Sequence, residues 1–191
     1  NDESTFVTTP VNTVVTTSNK SAIAYDWAAD MRNTTFIVDV PLSTTGDLMG
    51  QLNTSTGEFK ITGDGKNLDI TIENAFKNII GEITCEDDVN LFYKLTRSVK
   101  TLNFEADKIE TICNEWCRNY RDYNVEEGVF YYTFSGLTGD LVLPDSVKVI
   151  GDYAFENCKF NGTLTLGPNV TEINDWAFSE CSGFTGNLSI P

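Results

Sequence analysis

Three short segments in the C-terminal third repeat one another in register. Gly139-Asp140-Leu141-Val142-Leu143 aligns with Gly162-Thr163-Leu164-Thr165-Leu166, and again with Gly186-Asn187-Leu188-Ser189-Ile190, at steps of 23 and 24 residues. Further along each unit Ile150 matches Ile173, Ala154-Phe155 matches Ala177-Phe178, Cys158 matches Cys181 and Phe160 matches Phe184. Two coincidences at such a period could be chance, but a whole set of apolar and glycine positions recurring together is the mark of a repeat architecture.

One unit can be read physically. Leu141 and Leu143 alternate with Asp140 and Val142, the period-2 pattern of a half-buried strand. Pro144 in one unit and Gly167 in the next stop that strand. The spacing of Ile150, Phe155 and Cys158 predicts a return limb made of a short helical or 3₁₀ turn. A single unit cannot cover its own apolar side. Stacking units buries Leu on Leu, Phe on Phe and Cys on Cys, which predicts a mainly β solenoid.

The run from Leu141 to Cys158, with its Ile150-Gly151-x-x-Ala154-Phe155-x-x-Cys158 core, resembles the BspA-like leucine-rich repeat. The second unit, Leu164 to Cys181, resembles it too, with Asn174 in place of the glycine and Pro168 shifted by one. A third strand begins at Leu188. The resemblance implies a leucine-rich-repeat solenoid in a surface or secreted protein of a host-associated bacterium or protist, with a role in adhesion.

Four segments are expected. Residues 1–20 are Thr-rich and read as a flexible tether or an edge strand. Residues 21–55 read as a β-rich cap, with Phe36, Val38 and Val40 alternating as a strand and Asp26–Asp30 as a short helix. Residues 136–191 are the repeats proper. For residues 56–135 two readings stand. In the first they are degenerate repeats: Gly57–Ile61 and Gly81–Cys85 resemble the strand motif, Ala75-Phe76 echoes Ala154-Phe155, and Leu102, Phe104, Ile112 and Cys117 outline another unit, with Val129 and Phe134 spaced like Ile150 and Phe155. In the second they form a separate β-domain with one helix. Ile109, Ile112, Cys113, Trp116 and Tyr120 have amphipathic helical spacing, and Gly63–Asn67 would be a hairpin turn.

Composition then excludes several functions. The chain of 191 residues carries 13 Lys and Arg against 28 Asp and Glu, a formal charge of −15. Such a surface repels nucleic acid and anionic membranes. There is no histidine, which removes the Ser-His-Asp triad, the Cys-His dyad and imidazole zinc sites. No apolar run approaches the ~18 residues of a membrane span, and no signal peptide is visible. Six Asn-x-Ser/Thr sequons, at Asn19, Asn33, Asn53, Asn161, Asn169 and Asn187, are weak pointers to an exported chain. The five cysteines, Cys85, Cys113, Cys117, Cys158 and Cys181, form no Cys-x-x-Cys pair. Cys158 and Cys181 fall one repeat apart, near disulfide spacing, but a ladder of buried thiols is the favoured reading. Glu86, Asp87, Asp88, Glu126 and Glu127 read as solvated loops rather than a glycosidase pair, and Asp64, Asn67 and Asp69 as a turn rather than a calcium loop.

The side chains that alternate away from the core form the candidate binding face: Asp140, Val142, Thr163, Thr165, Asn187 and Ser189, continued by Glu58, Lys60, Glu82 and Thr84 if the earlier units are genuine. No catalytic residue, metal or cofactor is expected. The expected function is an extracellular or cell-surface adhesion module, a lipoprotein after processing being one form, that binds a protein or glycan, including one of host origin. A structural spacer and a glycan-binding accessory module are the alternatives, with Trp27, Trp116 and Trp176 as stacking candidates for the latter. The last unit stops in mid-repeat, so the native chain is expected to continue.

Overall fold

A computed structural model describes residues 13–17, 34–124 and 129–188. Asp26–Asp30, Trp27, Glu126, Glu127 and Ser189 lie outside them. Strand β1 (Thr13–Thr17) is the edge of a five-stranded sheet and pairs in parallel with β2 (Thr34–Pro41). β2, β3 (Leu48–Asn53) and β4 (Glu58–Gly63) then form an antiparallel meander. Alternation decides which side is buried: Phe36, Val38, Val40, Leu48, Leu52, Phe59 and Ile61 all face the core. Gly50 stands opposite Ile61, and the nearby Phe59 ring occupies the space that a Cβ on Gly50 would need.

From β4 the chain turns a corner rather than a hairpin. Gly63–Asn67 carries it into β5 (Asn67–Leu68), which belongs to a different sheet. Helix α1 (Ile72–Ile80) follows, capped by the Thr71 hydroxyl, which accepts from Asn74 N at 3.1 Å, and closed by Gly81 at φ 78°. Its apolar stripe of Ile72, Ala75, Phe76 and Ile80 meets the core, where Phe76 lies 5.9 Å from Phe59. Helix α2 (Glu86–Ser98) packs on α1. Glu86, Asp87 and Asp88 are thus the first turn of a helix, where the macrodipole favours carboxylates, and not a loop. Asp88 is buried and accepts from Thr84 N and Oγ1. Gly81–Cys85 is the link between the two helices and not a strand.

β6 (Thr101–Phe104) returns alongside β4 in parallel, Phe59 opposite Leu102. β7 (Thr111–Ile112) returns alongside β5. An antiparallel hairpin of β8 (Arg121–Asn124) and β9 (Val129–Tyr132) then projects from the chain, so Val129 does not occupy a repeat position. After it come β10 (Leu141–Val142), β11 (Val149–Ile150), β12 (Leu164–Thr165) and β13 (Glu172–Ile173). β10 pairs in parallel with β12, Leu141 opposite Leu164. β5, β7, β11 and β13 form a second parallel sheet in which Leu68, Ile112, Ile150 and Ile173 are successive neighbours, 44, 38 and 23 residues apart. The helix pair accounts for the longest step and the hairpin for the next.

The segment 109–120 is not a helix. Its N–H groups reach neighbouring strands and turns instead of residue i−4: Cys113 N donates to Leu68 O, Glu115 N to Asp152 O and Cys117 N to Ala154 O. Ile109, Ile112, Trp116 and Cys117 are buried all the same, because the turns of a rung also bring every third or fourth side chain inward. This is tertiary packing overriding a helical pattern.

The turn after each strand pair is not a plain 3₁₀ helix either. Ala154, Glu156 and Cys158 donate to the i−3 carbonyl, whereas Tyr153, Phe155 and Asn157 donate to Asp175, Ala177 and Ser179 of the next rung. The alternation requires left-handed residues, found at Tyr153 (φ 56°), Asn157 (φ 59°), Trp176 (φ 60°) and Glu180 (φ 58°).

The core is continuous through these layers. Trp116 lies between Phe104 at 5.7 Å and Phe155 at 5.8 Å. Phe155 stacks on Phe178 at 5.3 Å with planes 4° apart, and Phe160 on Phe184 at 5.4 Å. Gly151 is needed where it stands, since a Cβ there would strike Cys113 and Asn114 of the rung before. Burial declines toward the last rung. Ile150 is fully buried but Ile173 is 41% exposed, and Leu188 is 52% exposed and outside any described strand, so it does not extend the β10–β12 pair.

Candidate binding face

The strands that bury Leu141 and half-bury Leu164 turn Asp140, Val142, Thr163 and Thr165 to solvent, and Asn187 is exposed beyond them. Val142, at 54% exposure, is the apolar centre of this row and stands directly opposite Thr165. The row is laterally braced. Asp140 Oδ1 accepts from Thr163 N at 2.6 Å and Thr163 Oγ1 at 2.9 Å. Those two bonds, the backbone one first, hold the Asp140 carboxyl below its ordinary value. Asn161 Oδ1 accepts from Gly139 N at 2.8 Å, tying the start of the same two strands. Asp140 is therefore a structural brace as well as a surface group.

The row continues across the earlier strands. Thr138 N donates to Lys100 O at 2.8 Å, which sets β10 beside β6. Asn103 Nδ2 donates to Glu58 Oε1 at 2.8 Å across β6 and β4, and Lys60 pairs with Glu105 at 2.9 Å. Glu58 and Lys60 thus stand on the strand side, with Thr101 and Asn103 as additional members. The latter two flank Leu102 at period 2, the signal by which they could have been found. Glu82 and Thr84 are in the inter-helix link and do not join the row.

The remaining weighed residues are engaged elsewhere. Asp64 accepts from Lys108 at 2.8 Å, and Asp69 accepts from Thr44 N and Oγ1, both at 2.7 Å. All five cysteines are free thiols. Burial pushes the Cys158 thiol well up, and raises Cys181 to about 12 and Cys113 to about 11. Among the described residues no group of three or more metal-ligating side chains comes together, and no helix is long and apolar enough to cross a membrane.

A second exposed feature lies on the turns. Glu115, Tyr153 and Trp176 share one rung position and the same left-handed backbone, φ 59°, 56° and 60°. Arg118 stacks on Tyr120 and Tyr153, 4.7 and 4.6 Å from their ring centres, and pairs with Glu115 at 2.6 Å and with Glu156. Arg118 carried no pattern visible in the sequence, because the inserted hairpin hides its 38-residue relation to Glu156.

Residues 123–191 match the family model described as a BspA type leucine rich repeat region (6 copies). No curated protein and no solved structure matches the chain. The family match begins inside the β8–β9 hairpin and takes in β10 to β13, the strands whose parallel register and repeated Ala-Phe turns have just been described. The match thus covers the C-terminal part of the chain, where the BspA-like repeats seen in the sequence lie.

Proposed function

We propose that the chain is a solenoid binding module that works at the cell surface or outside the cell and recognises a protein or glycan ligand through its strand side. The observation that carries this reading is the row of Asp140, Val142, Thr163 and Thr165: solvent-facing, cross-braced, and centred on an exposed valine. A preformed surface binds without the entropy loss of ordering its own side chains. The apolar Val142 favours a protein ligand, and the hydroxyls around it supply directional hydrogen bonds. In this reading the early strands and helices are enlarged rungs of the same array, with the meander as its cap. Binding rather than catalysis is proposed; it is supported by the engagement of Asp88 with Thr84, of Asp140 with Thr163 and of Asp64 with Lys108.

The test is binding of the fluorescently labelled chain to epithelial cell monolayers and to arrays of matrix proteins and glycans. Saturable binding, lost in a Val142→Arg/Thr165→Arg variant that melts like the parent, is the expected result. Equal binding by the variant would overturn the strand-side assignment.

A further inference from the structure

Asn161-Gly162 is the only Asn-Gly pair in the chain. At such a pair the main-chain nitrogen of the glycine, unhindered by a Cβ, can attack the asparagine Cγ. The fold requires both residues. A Cβ on Gly162 would strike Asp140 Oδ1 and the Gly139 main chain, so the preceding repeat leaves room only for glycine. Asn161 Oδ1 accepts from Gly139 N at 2.8 Å, where Gly139 has a left-handed φ of 82°. The pair is fastened on both sides. Asn161 N and Gly162 N donate to Gly139 O, at 3.2 and 2.9 Å, and Gly162 O accepts from Thr185 N at 2.8 Å. Asn161 is nevertheless exposed, so water reaches its side chain.

We propose that Asn161 is a deamidation site, closed while it and Gly162 are bonded to Gly139 and opened when these two repeats part. To react, Gly162 N must give up its proton and its bond to Gly139 O. It then bonds to Asn161 Cγ, the Cγ–Nδ2 bond breaks, and Nδ2 leaves as ammonia with that proton. One water opens the resulting succinimide, at one carbonyl to isoaspartate and at the other to aspartate. The bond from Gly139 N to Oδ1 polarises Cγ toward attack. The bond from Gly162 N to Gly139 O opposes it by holding the nucleophile through its proton, and a main-chain N–H bonded in the fold reacts through local opening. The two products differ in their effect. An aspartate side chain at this position still accepts from Gly139 N. Isoaspartate inserts an extra methylene into the main chain just before Thr163, whose N and Oγ1 bind Asp140, and so shifts β12 against β10.

The test incubates the full chain in mildly alkaline buffer, folded and in guanidinium, and follows every asparagine by peptide mass spectrometry, with isoaspartate counted by enzymatic methylation. In guanidinium Asn161 should convert before any other asparagine, and folding should slow it about tenfold or more. Asp140→Ala, which frees Thr163 from the preceding strand, should speed conversion in the folded protein. Earlier conversion at another asparagine overturns the site. Equal rates folded and unfolded, or no acceleration in Asp140→Ala, overturn the gating. Asn161→Asp should melt close to the parent. Chain aged in guanidinium until rich in isoaspartate and then refolded should melt lower than fresh chain taken through the same refolding. Equal melting of aged and fresh chain overturns the structural effect assigned to isoaspartate.

Discussion

The side-chain amides of Asn119 and Asn157 each donate to the other's main-chain carbonyl, at 3.1 and 3.2 Å, across two adjacent rungs. Asn119 is buried, and its Oδ1 also accepts from Phe134 N at 2.8 Å where the chain re-enters after the hairpin. One side chain thus holds the rung, its neighbour and the base of an insertion. Asn119→Ala leaves buried partners unsatisfied and should cost about 1–3 kcal/mol. Asn157→Ala should cost less, and the double variant less than the sum. Urea denaturation of the four proteins measures this, and strict additivity would mean that the pair does not act as a unit.

The cysteines repeat a bond of the same kind. Cys158 Sγ donates to Cys117 O at 3.0 Å, and Cys181 Sγ to Phe155 O at 2.9 Å. Buried thiols with raised pKa are poor nucleophiles. Iodoacetamide at pH 8 followed by peptide mass spectrometry should find Cys85 modified first and Cys158 protected until the chain unfolds. A Cys158–Cys181 disulfide formed under mild oxidation without loss of structure would contradict the thiol ladder.

Much of this order was legible in the sequence, but only where the repeat is uninterrupted. The 23-residue step placed Leu141 beside Leu164 and Phe155 on Phe178, because the residues involved keep both spacing and type. Steps of 44 and 38 residues hide the same relations between Leu68, Ile112 and Ile150. The helix pair and the hairpin lie between these strands and remove the period, while the parallel pairing of β5, β7 and β11 remains. The segment from Ile109 to Tyr120 misled because helix and rung both return a side chain to the core every three to four residues. The solvent exposure of Val142 and Thr165 is readable from alternation alone. The bracing role of Asp140 is not, since it depends on a neighbour one rung away.

That role changes an expected mutational pattern. Phe155→Ala removes a fully buried ring packed on Phe178 and Trp116 and should cost about 3–5 kcal/mol. Val142→Ala should stay within about 0.5 kcal/mol. Asp140→Ala should destabilise more than Val142→Ala, because it frees Thr163 N and Oγ1, although alternation alone makes the two positions equivalent. Guanidinium denaturation ranks the three, and an Asp140→Ala protein as stable as Val142→Ala would remove the brace from the account.

Acid sensitivity should centre on Glu110. Lys148 at 2.8 Å and Lys66 at 2.7 Å clamp its carboxylate across three rungs and lower its pKa from 4.5 to about 2. A depressed folded-state value means that the stabilisation is complete above pH 4.5 and is lost as pH falls from there toward 2. Salt weakens it, since the pairs are exposed. In melting temperatures recorded from pH 6 to pH 2, Glu110→Gln should show a smaller fall than the parent. Parallel curves would assign acid sensitivity to other carboxylates.

The side-by-side placement of Val142 and Thr165 underlies both the scaffold and the proposed face, and intramolecular cross-linking reports on it directly. In a Cys85→Ser background, Val142→Cys/Thr165→Cys should be bridged within one chain by o-phenylenedimaleimide, quickly and at low protein concentration, while Val142→Cys/Lys159→Cys, with the second site beyond the turn, should not. Equal cross-linking of the two pairs, or bridging of the first only between molecules, would contradict the parallel register on which the proposed face rests.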